Sequence, residues 1–109
     1  MAYDEALVQR VRSLLEGKPG FTEKKMFGGV CFLLRRNMAC GILNEDLIVR
    51  VGPENYEDSL KLPNTREFDI TGRSMEGWVM VSTEGHNTNE SLSSWVERGI
   101  VFAITLPAK

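Results

Sequence analysis

No stretch of this sequence approaches the ~20 consecutive apolar residues of a membrane-spanning helix. Cysteine is scarce. Cys31 and Cys40 stand alone, with no CxxC spacing, which argues against a disulfide scaffold or a thiol-based zinc site. His86 is the only histidine. With Glu84 and Glu90 nearby it makes a poor ligand set, so no metal is expected. There is no GxxxxGK[ST] phosphate loop, and no cofactor is expected. Neither charge dominates: 13 Lys and Arg against 15 Asp and Glu leave a net charge of -2. The chain as a whole therefore exerts no field toward nucleic acid or anionic lipid. The opening MAYDEALVQRVRSLLEG carries charge throughout and has no apolar core of the signal-peptide kind, so the cytoplasm is the expected compartment.

What is present suits one globular domain spanning 1–109. At 42% hydrophobic and 26% charged, the composition is not that of a disordered chain. A domain of this length buries roughly two-thirds of its unfolded surface, enough to fold without a metal or disulfide. Leu7, Val8, Val11, Leu14 and Leu15 form one helical stripe behind an Asp4 cap, ended by Gly17 and Pro19. Thr22–Phe27 reads as a charged edge strand. Gly28-Gly29 then makes a bulge or turn before a central strand, Val30–Leu34. The next turn is placed at Arg36-Asn37, because Asn tolerates positive φ. A turn at Arg35-Arg36 would set Cys31 directly opposite Cys40, whereas the Arg36-Asn37 register pairs Cys31 with Ile42 and Cys40 with Leu33, leaving both thiols as separate core residues. Met38–Leu43 and Asp46–Val51 follow as strands around Asn44-Glu45, with Leu47, Val49 and Val51 facing one way, Ile48 and Arg50 the other.

Gly52-Pro53 is expected to start a short helix, with Pro at its first position and Tyr56 and Leu60 inward. Arg66–Ile70 is a strand, Thr71–Gly77 a loop, Trp78–Val81 a strand and Ser82–Thr88 a polar loop holding His86. Asn87 and Glu90 fit a capping box. The closing helix buries Leu92, Trp95, Val96, Gly99, Phe102, Ala103 and Leu106 until Pro107 stops it. The order α-β-β-β-β-α-β-β-α predicts a two-layer α+β fold, an antiparallel sheet of five to six strands with helices over one face.

Several short blocks occur in order: Lys24-Lys25-Met26-Phe27-Gly28-Gly29, Asn37-Met38, Cys40-Gly41, Val49-Arg50-Val51-Gly52-Pro53, Thr71-Gly72-Arg73 and Gly77-Trp78-Val79, then Trp95 and Gly99. Through them nearly the whole chain resembles the TfoX N-terminal domain family. The resemblance implies a secretion-chaperone-like α+β domain. It also implies regulation of competence genes, a role the family has when a second, C-terminal domain is attached. This chain ends at Lys109, so the expectation is a stand-alone domain. Ser74 and Glu76 stand where the family pattern more often has proline and lysine, which makes that loop less positive. The resemblance transfers no catalytic residue.

Lys24, Lys25, Arg50 and Arg73 are the candidate cations of a ligand or anion site, with Gly28 and Gly29 offering backbone amides beside them. Convergence of Lys25, Arg50 and Arg73 is the geometric condition for it. The competing reading pairs these cations, together with Arg35, Arg36 and Arg66, with Glu23, Asp46, Glu67 and Asp69 on neighbouring strands. Nucleic acid is a further option but not a favoured one, because Phe27, Phe32 and Phe68 sit in core-like alternation rather than between cations. Ile100, Val101 and Ile104 widen the closing helix's apolar arc beyond one stripe, which points to a protein partner or a homodimer. The leading expectation is a non-enzymatic binding or regulatory module.

Overall fold

The computed structural model describes residues 3–26, 29–69 and 74–106. The elements in chain order are α1 (Glu5–Leu15), β1 (Phe21–Met26), β2 (Gly29–Leu34), β3 (Asn37–Leu43), β4 (Asp46–Arg50), α2 (Tyr56–Leu60), β5 (Thr65–Asp69), β6 (Ser74–Val81), α3 (Thr83–His86) and α4 (Asn89–Ile104). The six strands form one antiparallel sheet in the order β1-β2-β3-β4-β6-β5. This is the α+β fold the apolar pattern predicts. The charged segment, β1, lies at one sheet edge, where an unpaired backbone and lysines belong together.

Alternation sorts the sheet into two faces. Val30, Phe32, Ile42, Leu47, Val49 and Val81 join Leu7, Val11, Leu15, Trp95, Val96 and Ala103 of α1 and α4 in the main core. Ile48, Phe68 and Met80 form a smaller cluster on the other face, closed by Met38, Leu43 and Trp78. α1 is capped as expected: Asp4 Oδ1 accepts from the Ala6 and Leu7 amides at 3.0 and 3.3 Å. α4 lies close against the sheet because Gly99 has no side chain. A Cβ there would sit 2.3 Å from the Ala39 carbonyl oxygen.

Five local expectations change. The β2–β3 turn is Arg35-Arg36, both at positive φ (53° and 68°), and not Arg36-Asn37. Asn37 is buried at the start of β3. A register shift after Phe32 then pairs Phe32 with Cys40 and Val30 with Ile42. That shift puts Ile42 on the same face as Phe32, in the main core, which the Arg36-Asn37 register does not. Burial of Ile42 outweighs the local preference for Asn in the turn. α2 begins at Tyr56, not at Pro53, since Gly52–Asn55 closes as a turn with the Asn55 amide donating to the Gly52 carbonyl at 3.3 Å. Tyr56 and Leu60 still pack inward. β6 starts at Ser74 because it pairs with Asp69, so Ser74–Gly77 is strand. Thr83–His86 is a short helix within the expected polar loop. The α4 cap is Thr88, whose Oγ1 accepts from the Ser91 amide at 3.1 Å, and not Asn87.

Candidate functional site

The sheet separates the candidate cations. Lys25 pairs with Val30, and that row continues through Ile42 and Leu47. Lys25 therefore rises on the helix-bearing face. Lys24 pairs with Cys31 and points the other way. Arg50 pairs with Trp78 on that second face, three residues along β4 from the Lys25 row and three strands across. The offset is roughly 17 Å from strand spacing and rise. Lys25 and Arg50 do not meet. Gly29 is closed as well: a Cβ would lie 2.1 Å from the Ile42 carbonyl oxygen, so the space beside it belongs to β3. Its role is close strand packing. Gly28 and Arg73 lie outside the described residues.

One of the acids takes a partner outside the sheet. Glu23 is held by Arg12 of α1 in a two-pronged pair at 2.8 Å for both bonds. These hydrogen bonds hold its carboxyl below the usual carboxylate range, with the charges of Arg12 and Lys25 adding to the effect. Asp46 and Arg66 form a 2.7 Å pair; it joins a strand cation to a strand acid as expected, but β4 and β5 are not neighbours and the pair reaches across β6.

Arg50 sits in an unusual setting. Its guanidinium carbon lies 5.1 Å from the Trp78 ring centroid and 5.2 Å from that of Phe102. Burial pulls its pKa down, and among the described residues it has no carboxylate partner. Cation–π contact with two rings offsets part of that desolvation. Phe102 is seated in turn on Gly52, which holds φ at +85°, and a Cβ on Gly52 would come within 2.5 Å of the ring. The Gly77 carbonyl fixes this corner by accepting from the Val51 and Gly52 amides at 2.8 and 3.1 Å.

Beside that corner opens a cleft of about 430 Å³, lined by Val51–Asn55 and by Val101, Phe102 and Thr105 of α4. Its size falls within the usual range of ligand and peptide-anchor pockets. Val101 and Ile104 are each 51% exposed and are the large apolar side chains left open to solvent among the described residues. Ile100, expected to widen the same arc, is buried. The arc noted in the sequence is thus a two-residue ridge. The cleft next to it was not legible, because Phe102 reads as inner-stripe and Gly52-Pro53 as a helix start. The only sequence signal was a Gly-Pro break facing an aromatic on the last helix.

Nothing else among the described residues assembles into chemistry. Cys31 and Cys40 are buried and unpaired. Cys31 pairs with Gly41 and Cys40 with Phe32, so the thiols stand in adjacent rows on opposite faces. Burial raises both pKa values, that of Cys40 to about 12. His86 is 2% exposed rather than a loop residue. A carbonyl only accepts, so His86 Nε2 donates to the Glu45 carbonyl at 2.9 Å. Nδ1 is buried without a partner. Arg10 holds the same segment by donating to the His86 carbonyl at 3.3 Å. The described residues contain no cluster of three metal-ligating side chains, and none of their helices is long and apolar enough to cross a membrane.

The sequence profile of the TfoX N-terminal domain family matches residues 13–103, which is most of the chain. No curated protein and no solved structure matches it.

Proposed function

The chain belongs to the TfoX N-terminal domain family, which supports a competence-related regulatory domain, and on that premise we propose that it is a non-enzymatic cytoplasmic module acting through protein contact. One observation carries the reading: half-exposed Val101 lines a cleft walled by Phe102, and half-exposed Ile104, one turn on along α4, extends the apolar surface beyond it. Isolated apolar residues on a surface mean little, but a ridge next to an apolar-walled cleft is the anatomy of a contact site. The test is quantitative capture from a native lysate, comparing the wild-type chain with Val101→Glu/Ile104→Glu, alongside a solution mass. Partners retained by the wild type and lost from the variant support the reading. A wild-type chain that captures nothing above background and runs as a monomer overturns it.

A second reading rests on Arg50. A guanidinium held against two rings keeps its charge and its N–H donors, which suit a small oxyanion. Lys25 and Gly29 have no part in that site. Thermal-shift screening of carboxylate and phosphate metabolites tests it, since a ligand of the folded state raises the melting temperature. A shift that survives Arg50→Met, or no shift at all, sinks it.

A further inference from the structure

Resting on the protein-contact reading, we propose that the groove between the C-terminal half of α4 and the Gly52–Asn55 turn takes a basic amphipathic helix of a partner protein. The apolar requirement comes from Val101 and Ile104, one turn apart on the outer line of α4, and from the Phe102 wall. That wall is fixed in advance. Arg50 lies over the ring, and Gly52, having no side chain, leaves room for it. A preformed wall lowers the ordering cost of binding. Anchors spaced at i, i+3 and i+4 on an incoming helix match a ridge of this spacing.

The basic requirement comes from the rim. Glu54 lines the cleft itself. Glu97 is exposed one turn before Val101 on the outer line of α4, outside the cleft itself, where a helix laid along Val101 and Ile104 would pass it. Glu57 and Asp58 are exposed just beyond the cleft turn, and Asp58 has only a loose 3.9 Å contact with Lys61. Among the described residues the other nearby cations are Arg98, held over Trp95, and Arg50, held against Trp78 and Phe102; both keep their charge, and the four acids outnumber them. A second copy fits poorly, because a two-fold contact here would set the acids of one subunit against those of the other. Nucleic acid is repelled by the same sign of charge.

The probes are three dye-labelled helical peptides sharing one leucine face, with the polar positions all Lys, all Gln or all Glu. Anisotropy is read against the full chain at low and high salt. The expected result is that the Lys peptide binds at least about tenfold more tightly than the Glu peptide at low salt. Val101→Glu/Ile104→Glu abolishes that binding, and Glu54→Lys/Glu97→Lys turns the preference toward the Glu peptide. All four positions are exposed, so folding is expected to survive, and a melting curve checks it. Binding that ignores both pairs of changes reports general attraction to an acidic chain and overturns the proposal. So does the absence of binding, and so does wild-type self-association that Val101→Glu/Ile104→Glu removes, which would make a second copy the occupant. If lysate capture depends on Val101 and Ile104 while the peptides show no charge preference, protein contact stands and the basic chemistry falls.

Discussion

Gly52 shows how much rests on single residues in this fold. Its φ of +85° is costly for any side chain, and the Phe102 ring occupies the place where a Cβ would be. Gly52→Ala should therefore destabilise the chain by about 2 kcal/mol from backbone strain alone. It should also lift Phe102 from Arg50 and change the fluorescence of Trp78. Urea unfolding followed by tryptophan emission measures both; an unchanged midpoint would mean that the corner is not held in this way. The cysteines give a second test at the same scale. Cys31 and Cys40 are buried and their pKa values are raised, so at neutral pH neither is a thiolate. A disulfide-exchange reagent should titrate both thiols in denaturant and neither, on the same timescale, in the folded chain. Rapid reaction of one thiol in the native state would reopen a redox role.

At the scale of elements, a helix and a hairpin are shaped by close approach, which periodicity does not reveal. α4 is legible as a helix from Leu92 to Ala103 with Gly99 on its buried stripe, and the structure shows why that position is glycine. Gly→Ala in an exposed helix interior gains about 1 kcal/mol, yet here the methyl would meet the Ala39 carbonyl. Gly99→Ala should instead destabilise by about 1–3 kcal/mol, the cost of overpacking, and calorimetry reads the sign. The β2–β3 hairpin was legible as two apolar strands but not in its register. Local chemistry favours Asn37 in the turn, whereas burial of Ile42 beside Phe32 needs the Arg35-Arg36 turn and the shift that follows it. Arg36 thus sits at a φ of 68°. Arg36→Gly should relieve that strain and raise stability by about 1 kcal/mol; a loss of stability would show that the arginine makes a contact that outweighs it.

For the whole molecule, the layers were legible because both faces of the sheet impose a period of two and the outer helices one of 3.6. The candidate site was less so. Lys25 and Arg50 are both on strands in the sequence, but which face and which row each takes depends on strand order, a non-local property. Sequence spacing could not reveal that α1 reaches across to the edge strand through Arg12 and Glu23. That link ties the helix layer to β1 and makes stability depend on pH. Arg12 stays protonated across the accessible range, so only Glu23 titrates. Its folded-state pKa is depressed by the Arg12 hydrogen bonds. The unfolded chain therefore binds the proton more readily. The pair's contribution is present above the unfolded carboxylate value and is lost as the pH falls through the folded one. Glu23→Gln removes the contribution at every pH. The urea midpoint of the variant should lie below that of the wild type at neutral pH, and the gap should close on acidification. Both groups are partly exposed, so the gap should also shrink in high salt. A gap that persists unchanged at acid pH would mean that Glu23 acts through packing and not through its charge.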